Sequence, residues 1–335
     1  MTLRTAVVGT GKLGAVHARV LSAASGSKLI GVVDVDAKAA ARVAKSSRTS
    51  VLRGIDEVAE RANAAVVAVP TSAHFEVASR LLEAGVPCLV EKPLAQTPEQ
   101  GRALVALARQ VGVPLMVGHV ERFNPVVLAL LEHDLDPGFL EAQRVSPFSF
   151  RSSDVGVVLD MMIHDIDLIL HLVRSPLSGV HAVGVGVLGE HEDMANARLT
   201  FESGAVANVT ASRVALKTER KLRLFARDTY VTLDFQKKSG RIVRLADNVR
   251  ARIAEGSLTL DGMTPLEATA RRLVKTTSLK VRGKQEPLAL EDQEFLDAVR
   301  EGRDPAVTGE HGVLAMETAA RVVASIRENF RKPED

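Results

Sequence analysis

The sequence has one cysteine in 335 residues, Cys88, so no internal disulfide can form and a reducing compartment suits it. No apolar run reaches the roughly 18 residues that a membrane span needs. No apolar leader precedes the first strand-like segment. A cytoplasmic protein without an integral membrane segment is therefore expected. Charge of one sign is also lacking: 43 basic and 41 acidic residues leave a formal net charge of +2, which argues against a dedicated nucleic-acid binder. Internal repeats and low-complexity segments are absent. With 46% hydrophobic and 25% charged residues the composition is that of a globular protein. The length exceeds one ordinary core, and two domains are expected, 1–120 and 121–335.

The stretch TAVVGTGKLG, Thr5 to Gly14, organises the chain. A short apolar strand runs into Gly9-x-Gly11-x-x-Gly14, and a helical pattern with Val16, Val20 and Leu21 follows at once. Gly9 turns the chain off the strand, Gly11 admits a pyrophosphate, and Gly14 lets helix and strand pack closely. The helix N-terminus, with Lys12 and Leu13, offers free N–H groups and a positive dipole end to phosphates. A second apolar strand ends in Asp34, and 34 − 14 places this acid 20 residues past the last glycine. An acid there accepts from a ribose 2′-hydroxyl and repels a 2′-phosphate, so NAD is the expected cofactor.

Residues 3–118 alternate strands (3–9, 28–33, 64–69, 86–90, 114–117, a weak one at 49–51) with helices (12–23, 37–45, 73–84, 97–111). Such alternation predicts a parallel sheet covered on both faces, with ligands beyond the strands' carboxyl ends. Pro70, Thr71 and His74 follow one strand end, and Glu91, Lys92 and Pro93 follow another. Both segments are expected to line the cofactor crevice. A lysine is an odd way to finish a buried strand unless it serves a function or sits in an exposed loop.

Gly118-His-Val-Glu121-Arg122-Phe-Asn124-Pro125 reads as the crossover to the second domain, with Asn124 as a helix cap and Pro125 at the first helical position. The alternative is a plain surface turn plus cap. Farther on, Asp160, His164, Asp167 and His171 are spaced four, three and four apart, which on a helix over 156–172 makes one polar stripe. Three readings of the stripe compete: a satisfied helical histidine among solvated acids, a single-helix metal site, and general acid–base chemistry. From 178 to 246 short strands follow without helices, predicting a mostly antiparallel sheet in an α+β domain. One sheet face, with Val206 and Val209, would be exposed in a monomer. Arg271, Arg272, Lys275, Lys280, Arg282 and Lys284 form a basic run that reads as a solvated loop or helix, or as a contact for a diphosphate or an acidic membrane surface. Two amphipathic helices, 289–300 and 310–329, close the chain and are free to pack back on the first domain.

In order and spacing, GTGKLG, Asp34, PTSAH and the Glu91-Lys92-Pro93 tripeptide resemble the Gfo/Idh/MocA oxidoreductase family, and the resemblance continues over most of the chain. It implies an α/β protein: an N-terminal Rossmann dinucleotide-binding domain plus a C-terminal α+β domain with an open, mostly antiparallel sheet. It implies catalysis by Lys92, His164 and Asp160, with Glu121, Arg122 and Asn124 beside the substrate. It also implies pairing into a homo-oligomer, a dimer or tetramer, through the sheet. The chain departs from the family pattern in having only Gly156 before Asp160 and Met162 two residues after it. The segments GHVERFNP and DMMIHDIDL are most similar to the UDP-N-acetylglucosamine 3-dehydrogenases of the family. The implied activity is NAD-dependent oxidation of a secondary hydroxyl of a sugar nucleotide, with Met161 and Met162 as an apolar wall for an acetamido methyl. Lys92 or His164 is the final proton acceptor. Other readings are another sugar or inositol-like cyclitol dehydrogenase, and a non-catalytic NAD-binding regulator. The last has no reason to keep both Lys92 and His164.

Overall fold

A computed structural model describes residues 2–148, 155–188, 191–246, 248–259, 262–264, 267, 273–281, 283 and 286–329. Arg271, Arg272, Arg282 and Lys284 of the basic run lie outside the described residues. The chain divides into two compact units, Met1–Phe123 with Lys284–Ala320, and Asn124–Gly283 with Arg321–Asp335.

In the first unit, every residue of Ala64–Val67, Cys88–Glu91 and Leu115–Gly118 is buried. Continuous burial is what helices on both faces of a parallel sheet produce, each enclosed Val or Leu contributing about 1.5–3 kcal/mol. With Leu3–Val8 and Ser27–Val33 these segments form five parallel strands, β1 to β5, in the order β2-β1-β3-β4-β5. The chain leaves β1 for β2 on one side and returns to β3 on the other. The carboxyl ends of β1 and β3 therefore flank the point where the topology reverses, where such sheets bind ligands. The helices are α1 (Lys12–Ala23), α2 (Ala37–Ser46), α3 (Ile55–Arg61), α4 (Thr71–Glu83) and α5 (Pro98–Val111). Helix α3 escapes sequence reading because Val58 is its sole buried residue and gives no periodicity. The weak strand at 49–51 reduces to one bridge between Val51 and Val32. Cys88 is fully buried, and burial pushes its thiol pKa up.

The second unit begins with α6 (Pro125–Leu131) and carries an eight-stranded sheet. Its strands are β6 (Pro137–Val145), β7 (Leu177–Val185), β8 (Met194–Phe201), β9 (Val206–Ser212), β10 (Glu219–Ala226), β11 (Thr229–Asp234), β12 (Ser239–Leu245) and β13 (Val274–Ser278). Their order is β13-β12-β11-β10-β6-β9-β8-β7, antiparallel except for the parallel pair β6 and β9. Helices α7 (Ile163–Val173) and α8 (Val249–Ala254) belong to this unit, and α9 (Pro287–Glu301) and α10 (Gly309–Asn329) follow. Strand β6, interior to the sheet, is missed by alternation because its inward residues are Leu140, Ala142 and Arg144 while Phe139 faces the other way. Lys275, expected in a loop or helix, lies on the edge strand β13, whose last four residues are exposed.

The expectation for Val206 and Val209 is corrected. Three residues apart on a strand, they face opposite ways. Val209 lies in the core with Ala207 and Ala211, all 0% exposed, while the open face carries Val206, Asn208 and Thr210. Among the described residues no helix is long and apolar enough to cross a membrane.

Candidate active site

At the end of β1 the three glycines do three different things. Gly9 has φ +96°, and a Cβ there would stand 2.4 Å from the Ala68 carbonyl oxygen. A Cβ on Gly14 would stand 1.9 Å from the Gly9 oxygen. A Cβ on Gly11 would meet no atom within 4 Å. Two glycines are thus required by the protein's own packing, and the third keeps open space in front of α1. Side chains cap α2 (Asp36) and α5 (Thr97), whereas α1 begins at Gly11 with no side-chain cap. Its first N–H groups are left for a ligand. Lys12 and Leu13 are exposed on this first turn.

Asp34 closes the other side of the loop. Its Oδ2 accepts from the Thr10 N–H at 2.5 Å and from the Thr10 hydroxyl at 2.7 Å, and its Oδ1 accepts from the Asp36 N–H at 2.9 Å. Burial would raise the carboxyl pKa, but the bonds from Asp36 and Thr10 outweigh it and hold the pKa below the usual value. Asp34 is therefore an anion near neutrality. The open space at Gly11, the uncapped helix start and this anion fit a dinucleotide whose ribose is not phosphorylated.

The ends of β3 and β4 are tied together by His74, which is 1% exposed. Its Nδ1 lies 2.8 Å from the Pro93 oxygen and its Nε2 2.9 Å from the Val69 oxygen. Burial lowers its pKa despite both contacts. The sequence reading groups His74 with the cofactor ligands. Held between two backbone carbonyls, to one of which its single N–H donates when neutral, it braces the loop that carries Pro70 and Thr71 against the one that carries Lys92. Glu91 is buried, its Oε2 accepts from the Lys92 N–H at 3.2 Å, and the Lys92–Pro93 peptide is cis. Glu121 and Arg122 lie in a 3₁₀ turn, Val120–Phe123, and are 7% and 5% exposed, so the reading as a surface turn fails.

In the second unit Asn124 caps α6, its Oδ1 accepting from the Val126 N–H at 3.3 Å, and its Nδ2 donates to the Phe235 oxygen at 3.2 Å. Asp160 lies in a π-helical turn, Val158–Met162, that leads into α7 and His164. Along the expected stripe Asp160, His164 and His171 are half-buried, while Asp167 is 1% exposed, which excludes a row of solvated acids. Single π-turns of this kind are frequent at functional sites. At Gly156 the Glu192 carboxyl occupies the space a Cβ would take, and it accepts from the Val158 N–H at 3.2 Å. Next to His164, Asp165 makes a buried bidentate pair with Arg144, both bonds 2.9 Å, which fixes α7 on β6. Met162 is 0% exposed and belongs to the core, which removes it from the apolar wall expected of it, while Met161 is half-buried.

An oxidoreductase family with an NAD-binding Rossmann fold, Gfo/Idh/MocA, matches residues 3–119, and its C-terminal domain matches 135–232. Over 325 residues the chain is 34% identical to UDP-N-acetylglucosamine 3-dehydrogenase from Acidithiobacillus ferrooxidans, covering 97% of both chains. The chain belongs to the Gfo/Idh/MocA oxidoreductase family. A structure of that Acidithiobacillus enzyme superposes with a TM-score of 0.88 at 33% identity over 98% of each chain. Inositol 2-dehydrogenase of Rhizobium meliloti is 26% identical, with 98% of each chain covered. As a Gfo/Idh/MocA protein it is an NAD-dependent dehydrogenase with the two-part fold expected. Sequence reading missed Thr10, His17 and Asp292. The one signal was a histidine on the inward face of α1, among Ala18 and Leu21, where a polar group must find partners.

Proposed function

We propose that this protein oxidises the 3-hydroxyl of UDP-N-acetylglucosamine to a ketone, with NAD as oxidant. The supporting observation is the 34% identity over 97% of both chains to an enzyme named for that reaction. When bound, NAD accepts the hydride from the carbinol carbon. The hydroxyl proton must leave in the same reaction, so a base and a group that stabilises the developing oxyanion are required. His164 is the base, since imidazole titrates near neutrality. Lys92 donates to the same oxygen and stabilises its negative charge; the two can exchange roles. Asp160 orients His164 or the substrate. Arg122 meets a diphosphate oxygen, and Glu121 and Asn124 bind the sugar.

The cofactor contacts of the proposal are Gly9, Gly11, Lys12, Leu13, Gly14, Asp34, Pro70, Thr71, Lys92 and the backbone of Glu91, whose side-chain oxygens face His17 and the Lys92 N–H, with His74 as a brace. The protein acts in the cytoplasm as a homo-oligomer paired through the open sheet face. Phe139, Phe225 and Tyr230 pack there in tilted pairs at centroid separations of 5.7 and 4.7 Å, with Phe225 41% exposed. A second reading, oxidation of a cyclitol, draws on the inositol 2-dehydrogenase relative.

The test is to incubate the protein and NAD with UDP-N-acetylglucosamine, free N-acetylglucosamine and myo-inositol in turn, following NADH absorbance with a ketone trap present. NADH formed from the UDP-sugar supports the proposal. NADH from inositol or free sugar, with none from the UDP-sugar, overturns it.

A further inference from the structure

His17 lies on α1 three residues past Gly14, is 0% exposed, and has no part in the chemistry above. Its Nδ1 is 2.7 Å from Asp292 Oδ1 on α9, and its Nε2 is 3.0 Å from Glu91 Oε1 at the end of β4. The other Glu91 oxygen accepts from the Lys92 N–H. Gly118, opposite Glu91 in the β4–β5 register, leaves room for this carboxyl; a Cβ there would stand 3.1 Å from Oε2. A continuous hydrogen-bonded chain therefore runs from α9 through the nucleotide-binding helix to the backbone of Lys92.

Ionised carboxylates only accept, so both contacts are satisfied when both imidazole nitrogens carry hydrogen. Burial alone would lower the His17 pKa, but Asp292 and Glu91 outweigh it and raise it well above the ordinary value; burial also raises the Asp292 pKa, against the pull of His17, so the proton is held between these two groups. For Glu91, burial is likewise overcome by the bond from His17, which keeps its pKa below the usual carboxylate value. Both Glu91 oxygens are thus committed, one to His17 and one to Lys92. His17, Glu291 and Asp292 could also offer one ligand atom each within 4.8 Å, but a cation there would displace a proton that holds one of the carboxylates. A buried ionic chain is a poor choice for stability, because well-packed apolar residues do as well or better without desolvating charges. Its use lies in fixing geometry.

We infer that His17 is a positioning residue for Lys92: braced by Asp292, it fixes the Glu91 carboxylate that holds the Lys92 backbone, and so sets where the lysine ammonium stands. This rests on the reading of Lys92 as a group that acts on the substrate hydroxyl.

The experiment compares His17→Asn, Asp292→Asn, Lys92→Ala and the His17→Asn/Lys92→Ala pair in the full chain, with NAD and UDP-N-acetylglucosamine under trapping. Competitive acetylation read by mass spectrometry reports Lys92 reactivity without needing a substrate, with Lys38 and Lys45 as references. We expect His17→Asn to lower kcat about tenfold or more, with NAD Kd and substrate KM within about twofold, as small displacements of a reacting group do. In the Lys92→Ala background the same change should cost less than about threefold, because the two act as one unit. Lys92 acetylation should change at least about threefold in His17→Asn and in the same direction in Asp292→Asn, in line with a shifted group. Wild-type Lys92 reactivity in both single variants would overturn the inference, as would an undiminished loss in the Lys92→Ala background. If His17→Asn fails to fold, the isosteric Asp292→Asn carries the same measurements. Normal turnover by Lys92→Ala would remove the catalytic reading of Lys92 and leave the acetylation result to decide the positioning.

Discussion

Thr10 and Asp34 are joined twice, through the Thr10 N–H and the Thr10 hydroxyl, both to Asp34 Oδ2. The residue between the first two glycines thus fixes the acid proposed to select the cofactor. A 2′-phosphate brought against this anion would meet like-charge repulsion, so NAD should be used better than NADP. Asp34→Ala should raise kcat/KM for NADP relative to NAD by about tenfold or more, a change of about 1.4 kcal/mol or more. Steady-state kinetics with both cofactors check it, and equal use of the two by the unaltered protein would remove Asp34 from the selection.

Lys92→Ala and His164→Ala should each lower kcat about 10²–10⁴-fold, the usual contribution of a positioned acid or base. His164→Ala should leave NAD affinity nearly unchanged, measured by fluorescence titration. Near-normal turnover in either variant takes that residue out of the mechanism.

How far the sequence reveals this molecule depends on where its signals are local. The nucleotide-binding unit is legible because its strands are buried on both faces and its glycine turn has short-range steric causes, at Gly9 and Gly14. Strand β6 is not, because an inward Arg144 is paired with Asp165 on α7, a partner 21 residues away. The π-turn at Asp160 is invisible to a helical count that assumes one period throughout. The His17 contacts reach 74 and 275 residues along the chain, beyond any motif.

His17 should also leave a mark on stability. Its folded pKa is raised, so its stabilisation is complete below the ordinary imidazole value of 6.5 and is lost as pH rises toward the folded value. The groups facing it are Asp292 and Glu91, with Glu291 and Lys92 beside them in sequence. Urea unfolding from pH 6 to 9 should show the advantage of the unaltered protein over His17→Asn shrinking by about 1.4 kcal/mol per pH unit within that window. A pH-independent difference would mean that His17 is not charged in the folded state.

The contrast between Gly11 and Gly14 separates binding from folding. Both belong to one motif, yet a methyl group at Gly14 would be driven into the Gly9 carbonyl, while one at Gly11 would point into open space. Gly11 has φ −64°, so alanine is conformationally acceptable there. Gly11→Ala should therefore change unfolding free energy by no more than about 0.5 kcal/mol. It should weaken NAD binding about tenfold or more, because the added Cβ takes the space a pyrophosphate needs next to the α1 N-terminus. Gly14→Ala should instead destabilise the fold by about 1–3 kcal/mol or more, through overpacking against backbone that cannot yield. Urea denaturation and NAD titration on the two variants decide the matter. If Gly11→Ala binds NAD as the unaltered protein does, the open space in front of α1 is not where the pyrophosphate lies.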